Sequence, residues 1–158
     1  MLARSFVVLL AGGLISSALA EVPAKAAGDC LYQSASGVEA YIGVVPAQIT
    51  KGHEPTQPEG PMHGGVPRSG YQYHLVAAIF DVYTGERITD ASVAAKVSGL
   101  DLAGPTKALD PMTIAGTITC GAYFSLPGFD FYTIVLTIKR PVTTQPITLN
   151  FTCDHRNR

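Results

Sequence analysis

The chain has 158 residues and a formal net charge of −1, from 11 basic and 12 acidic side chains. This balance argues against a nucleic-acid partner, which would call for a basic patch on the protein. The sequence also contains no run of charge that would hold it on an anionic membrane surface.

The first predicted element is a secretory signal peptide over residues 1–20. Arg4 gives a short positive start, an apolar stretch follows from Phe6 to Leu19, and Ala18-Leu19-Ala20 is a small-x-small cleavage signal. The apolar stretch is shorter than the roughly 20 residues that span a bilayer, which argues against a retained anchor. We therefore expect a periplasmic or secreted protein, with no membrane insertion after the signal is cleaved.

Residues 21–37 are predicted to be an N-terminal lead-in, and the first strand signal follows them. Val38 to Val45 has apolar side chains at every second position, which is typical of a β-strand. From Ile49 to Gly70 the sequence is rich in proline and glycine, which predicts an irregular loop. A loop of this length inside a small domain is usually functional or disordered.

Strand signals resume at Tyr71 to Val82, which is apolar on both faces and is predicted to be a central strand covered on both sides. Further strands are predicted over residues 91–98, 113–124, 131–139 and 147–153, with a loop over 99–111 and a charged tail over 154–158. The pattern indicates an all-β domain over residues 38–153, an Ig-like antiparallel β-sandwich of about seven strands. Ile134, Leu136 and Ile138 are expected to face its core.

Three cysteines, Cys30, Cys120 and Cys153, lie in the exported part of the chain. An oxidising compartment permits one disulfide and leaves one thiol over. We prefer the pair Cys30 with Cys153, because these residues are at opposite ends of the domain. Pairing of Cys120 with either of the others stays open.

The side chains best suited to chemistry are two thioethers and two imidazoles, from Met62, His63, His74 and Met112. Soft and borderline ligands of this kind suit copper better than calcium or magnesium. If the long loop and two strand starts converge at one end of a sandwich, these side chains form one low-charge metal site. Oxygen ligands from Glu54, Glu59 or Asp81 would adapt the site to Cu(II) or Fe(II).

Each candidate also has a simpler explanation. Met112 fits the role of a core filler, and His74, flanked by apolar residues, fits that of an interior histidine. Met62 and His63 are adjacent, so an extended backbone would point them apart, and they fit exposed loop residues. By period-2 counting, Cys120 is expected to be a buried, inert thiol.

Enzyme motifs are missing from the sequence, and we expect a protein that is not an enzyme. There is no Gly-x-Ser-x-Gly elbow, no H-E-x-x-H zinc motif and no phosphate-binding G-x-x-x-x-G-K-[ST] loop. Asp101 and Asp110 are predicted to be loop carboxylates with no histidine nearby.

Several segments resemble the strand–turn–strand of exported bacterial Ig-like domains of the FixH/YtkA type, and of periplasmic proteins associated with ferrous-iron transport. The similar segments are 74–81, 84–88, 90–93, Pro111-Met112, Gly121 to Phe124 and Leu126 to Ile138. The resemblance implies a β-sandwich that handles copper or iron, with Met62, His74 and Met112 as ligand candidates. The chain departs from the iron-transport proteins at Thr119-Cys120-Gly121, where those have a His-Tyr-Gly-like element, and Cys120 is a candidate substitute for the lost imidazole.

The sequence thus predicts a transition-metal-binding protein, with copper favoured over iron, that acts as chaperone, carrier or accessory factor. A membrane transporter or an oxidase is the expected kind of partner. The alternative is a metal-free Ig-like domain that presents its loops to a partner protein. A third hypothesis, a small-ligand-binding sandwich resembling transthyretin-like modules, is indicated by Phe80-Asp81 and Thr84-Gly85.

Overall fold

The computed structural model describes residues 30–49, 70–99, 103–128 and 131–154, and eight antiparallel β-strands lie in these ranges. In chain order they are β1 (Tyr32–Ala35), β2 (Val38–Pro46), β3 (Gln72–Asp81), β4 (Ser92–Ser98), β5 (Ala103–Ile114), β6 (Thr117–Ser125), β7 (Phe131–Lys139) and β8 (Ile147–Asp154). The predicted all-β antiparallel fold is confirmed. The predicted signal peptide lies outside the described residues, and no helix within them is long and apolar enough to cross a membrane.

The strands form one eight-stranded sheet in the order β1-β2-β3-β6-β5-β4-β7-β8. The sheet folds into two layers, β1, β2, β3 and β6 in one and β4, β7 and β8 in the other, and β5 pairs with both. The first part of β5, up to Leu109, pairs with β4. From Asp110 onward β5 pairs with β6 instead. β5 therefore passes from one layer to the other, and this crossing fixes which of its side chains lie beside β6.

One hydrophobic core lies between the layers, and alternate residues of the strands supply it. The predicted core residues Ile134, Leu136 and Ile138 of β7 are 1%, 0% and 0% exposed, as expected. Burial of each such side chain stabilises the fold by about 1.5–3 kcal/mol. From β3 the core takes Leu75, Ala77 and Ile79, so the residues that alternate with them, His74 and Val76 among them, point to the opposite side of the sheet.

The two ends of the strand order meet, because β1 contacts β8. A disulfide joins Cys30, just before β1, to Cys153 in β8, which confirms the preferred pairing. The bridge closes a loop with a sequence separation of 123 residues. Cys120 is the free cysteine among the described residues, and it is half-buried.

The sequence prediction differs from the structure in three places. β1 lies inside the segment predicted to be a lead-in, so the sheet begins before Val38. The predicted loop over 99–111 is wrong, because most of it belongs to β5. The predicted strand over 113–124 is divided by a turn at Ala115 and Gly116, whose φ angles are 49° and 76°.

Candidate metal centre

The candidate site lies on the face of β3, β6 and β5 that points away from the core, called here the outer face. Residues paired directly across antiparallel strands project to the same face. His74 of β3 pairs with Tyr123 of β6, and Met112 of β5 pairs with Thr119 of β6. Since Leu75 points into the core, His74 lies on the outer face, and the pairings place Met112 on that face too.

His74 and Met112 meet above Gly121, on the strand between them. A Cβ atom built on Gly121 would lie 2.5 Å from the Met112 methyl carbon Cε and 2.8 Å from His74 Nε2. Both atoms lie within 2.8 Å of that one position, so the methyl carbon of Met112 and the Nε2 of His74 are near neighbours. The sulfur of Met112 is one bond from that methyl carbon, and both side chains are only 5% exposed. A thioether and an imidazole nitrogen thus share one buried space.

Tyr123 packs against the imidazole of His74. Its ring centroid is 4.8 Å from that of His74, with 34° between the ring planes. Tyr123 is itself 8% exposed, so the two rings pack as a buried pair. The contact limits rotation of the imidazole and helps to keep Nε2, which is also buried, above Gly121.

β6, which carries Gly121 and Tyr123, is held at both ends by cationic side chains from neighbouring segments. Lys107 Nζ donates a 2.7 Å hydrogen bond to the carbonyl oxygen of Tyr123. Arg87 Nη1 donates a 2.8 Å hydrogen bond to the carbonyl oxygen of Ile118. These bonds satisfy backbone carbonyls near the points where β6 loses its strand partners, and so they fix the strand beneath the site.

Two of the four predicted ligands, Met62 and His63, lie outside the described residues, as do Glu54 and Glu59. Asp81, the remaining oxygen candidate, lies at the end of β3 far from His74. Its carboxylate accepts hydrogen bonds from the backbone amides of the following turn and from Arg140. Those contacts, with the amide of Tyr83 contributing most, hold the pKa of Asp81 below its usual value. Asp81 therefore stabilises the turn and does not contribute to the site.

Cys120 does not substitute for an imidazole at this site. It pairs with Ala77 of β3 and with Pro111 of β5, and it packs against the core. Its side chain consequently lies on the face opposite to His74 and Met112. Burial raises the pKa of its thiol more than the nearby positive charge of Arg87 lowers it, so the thiolate that binds metals is disfavoured.

Asp110 is the residue that the sequence interpretation placed wrongly. It lies in β5, directly opposite Gly121, and therefore on the outer face with Met112. The signal was present in the sequence, since Asp110 and Met112 are two residues apart and project to one side of a strand. It was missed because this segment was predicted to be a loop.

The donor set fits a transition metal better than a hard cation. In the described part of the chain, no three His, Cys, Asp or Glu residues cluster as a metal site. The groups that converge are the His74 imidazole and the Met112 thioether, and no Cβ occupies the space above Gly121. Thr119, opposite Met112, has a buried hydroxyl that makes no hydrogen bond to the described residues. Such a pocket suits a soft ion of low coordination number.

No protein-family profile and no curated protein matches this chain. Among solved structures, it is similar to a copper-bound variant of FetP from uropathogenic Escherichia coli strain F11. The TM-score is 0.61 at 16% identity, covering 82% of this chain and 95% of that one.

The chain is also similar to a DUF4426 family protein from Pseudomonas aeruginosa PAO1, with a TM-score of 0.57 at 16% identity over 78% of this chain and 91% of that one. A copper-bound variant of P19 from Campylobacter jejuni gives a TM-score of 0.56 at 15% identity, over 81% of this chain and 94% of that one. At such identities the similarity establishes the fold alone. Two of these β-domains are copper-bound, which agrees with the predicted resemblance to metal-handling β-domains. None of the similar structures supports the FixH/YtkA type in particular.

Proposed function

We propose that this protein is an exported transition-metal-binding protein, with copper favoured and iron as the alternative, that acts as chaperone, carrier or accessory factor. The observation that carries the proposal is the convergence of His74 Nε2 and the Met112 thioether above Gly121. The copper-bound proteins of similar fold support it. The signal-peptide pattern of residues 1–20 supports a periplasmic or secreted location.

The chemistry of the two donors favours Cu(I). Thioether sulfur is soft and uncharged, and neutral imidazole is a borderline ligand, so together they stabilise a monovalent d¹⁰ ion without a counter-anion. The site is buried, which keeps water from competing for the ion. The Tyr123 ring, which packs against the imidazole, limits its movement before an ion arrives.

A carrier role follows from the same ligands. Both donors bind through a single atom, so a partner protein can displace them one at a time and accept the ion. We propose a membrane transporter or an oxidase as the kind of partner. The sequence offers none of the nucleophile or acid–base motifs considered above, and we accordingly propose binding and transfer, without catalysis.

The proposal is tested by titrating the mature protein with Cu(I) against bathocuproine disulfonate. The variants His74→Phe and Met112→Leu keep the packing volume while removing the donor atoms. Loss of either donor is expected to weaken Cu(I) binding by more than the roughly tenfold that loss of a group behind a ligand typically costs. His155→Ala, in the predicted charged tail, serves as the control and is expected to bind like the wild type.

Equal Cu(I) binding by the wild type and by the doubly substituted protein would show that the ligands are assigned incorrectly. If the wild type itself binds no more Cu(I) than a protein without the site, the metal function fails, and a metal-free interaction domain becomes the better explanation. Far-UV circular dichroism of each variant establishes that the sheet is intact.

A further inference from the structure

We infer that Asp110 supplies a third, anionic donor to this site, which allows it to hold the metal in the divalent as well as the monovalent state. This inference rests on the proposed metal-binding function and deepens it. It concerns which oxidation states the site accepts, and it assigns a role to a carboxylate that the sequence interpretation treated as a loop residue.

The strand register places Asp110 beside the two other donors. It pairs directly with Gly121, the residue above which His74 Nε2 and the Met112 methyl group lie. It also precedes Met112 by two positions on the same strand, so both side chains project to the outer face. Along that face, β3 contributes the imidazole, and β5 contributes the thioether and the carboxylate.

The missing side chain at Gly121 opens the path between Asp110 and His74. Directly paired residues of antiparallel strands have Cβ atoms about 4.5–5.5 Å apart. A residue larger than glycine at position 121 would therefore place its side chain between Asp110 and His74. His74 Nε2 lies 2.8 Å from the position that such a Cβ would occupy. The Asp110 carboxylate extends beyond its own Cβ, so a χ1 rotamer directed toward Gly121 would bring its oxygens to the same space. An ion there would meet nitrogen, sulfur and oxygen.

The third donor changes which ion is favoured. Cu(II) and Fe(II) carry two positive charges and accept oxygen ligands, whereas Cu(I) is well served by sulfur and nitrogen alone. In a largely buried pocket a nearby negative charge offsets the cost of holding a divalent cation. Asp110 is exposed, in contrast to His74 and Met112, so it lies at the solvent side of the site, where an ion would enter.

Asp110→Asn tests the inference, because it removes the charge and keeps the size of the side chain. Separate competition titrations with Cu(I) and with Cu(II) are made on the wild type and on the variant. We expect the Cu(II) affinity of the variant to fall about tenfold or more, the size of effect typical of a weakened ligand shell, while the Cu(I) affinity changes far less. The electron paramagnetic resonance spectrum of the Cu(II) complex should also change.

Glu86→Gln is the matched control for charge. Glu86 is an exposed residue of the turn that follows β3, at the opposite end of that strand from His74. The Glu86→Gln substitution removes one negative charge, as Asp110→Asn does, but at a distance from the site. We expect both its copper affinities and the Cu(II) spectrum to equal those of the wild type.

The outcomes separate this inference from the proposed function. If the wild type binds Cu(I) but not Cu(II), or if Asp110→Asn binds Cu(II) with unchanged affinity and spectrum, Asp110 is a surface carboxylate and the inference is overturned while the metal function stands. If Glu86→Gln loses as much Cu(II) affinity as Asp110→Asn does, the loss comes from the change in net charge, and the inference about Asp110 is overturned as well. If the wild type binds neither ion, the proposed function fails and the inference fails with it.

Discussion

Replacing Gly121 with alanine probes the crowded space on which the candidate site depends. Gly121 lies within β6 and does not have a positive φ, so its backbone conformation is open to alanine. The new methyl group would lie 2.5 Å from the Met112 methyl carbon, 2.8 Å from His74 Nε2 and 3.0 Å from the carbonyl oxygen of Leu75. Met112 can swing away at small cost, but the imidazole, which packs against Tyr123, and the backbone of β3 are less free to move.

Two opposing effects determine how much Gly121→Ala changes the free energy of unfolding. Alanine restricts the unfolded chain more than glycine does, which stabilises the fold by about 0.4–1 kcal/mol where the backbone is compatible. Overpacking costs about 1–3 kcal/mol. The steric cost at Gly121 is therefore expected to win, with a net loss of about 1–2 kcal/mol in the free energy of unfolding. Because His74 must shift, Cu(I) affinity should fall as well.

Urea unfolding and the Cu(I) competition titration measure the two effects, and Gly70→Ala is the control. Gly70 precedes β3 and does not have a positive φ, and a Cβ there would meet the far end of the Gln48 side chain at 3.7 Å, an ordinary contact distance. We expect that variant to be close to the wild type in both measurements. In a Met112→Ala background, Gly121→Ala should cost less, since one of its contacts is gone. If Gly121→Ala is as stable as the wild type and binds Cu(I) equally well, the crowding inferred above Gly121 is refuted.

Three further predictions concern the rest of the fold. Replacing both Cys30 and Cys153 with serine should lower the free energy of unfolding by about 2–5 kcal/mol, and denaturant curves that match the wild type would contradict this. The pKa of Asp81 is lowered, chiefly by the amide of Tyr83, so its contribution to stability is present at neutral pH and is lost as pH falls below about 4 through its folded pKa. The urea midpoint of Asp81→Asn should therefore fall less between neutral and acid pH than that of the wild type, and an equal fall in the two proteins would exclude this role. Burial raises the pKa of Cys120, so at mildly alkaline pH iodoacetamide should modify its thiol more slowly in the folded than in the urea-unfolded protein.

The fold was predictable where strands bury one or both faces. β3 and β7 carry strong apolar patterns, and their predicted positions agree closely with the structure. β5 was missed because most of its side chains are exposed and it contains two prolines, so its sequence shows no alternation of apolar and polar residues. The segment is a strand because its backbone pairs with β4 and β6. The turn at Ala115 and Gly116 was missed because alanine is an unusual residue for positive φ.

The candidate site was predictable by residue type and not by arrangement. His74 and Met112 were singled out because imidazole and thioether are the soft donors of the chain. Their meeting above Gly121 depends on the register of β6 against two different strands, which no local pattern encodes. The same register excludes Cys120 and includes Asp110, because side chains alternate between faces. A shift of β5 by one residue would turn both Asp110 and Met112 away from the imidazole.

The position of the site follows from the crossing of β5 between the layers. Had β5 continued beside β4 beyond Leu109, its later residues would belong to the other layer, away from β3 and β6. Instead, pairing with β6 begins at Asp110, so the carboxylate and the thioether arrive together on the outer face. The crossing that completes the sheet order is thus also the step that brings donors of β5 to the imidazole of β3. Changes that shift the register of β5 on β6 should consequently abolish metal binding even where every donor residue is kept.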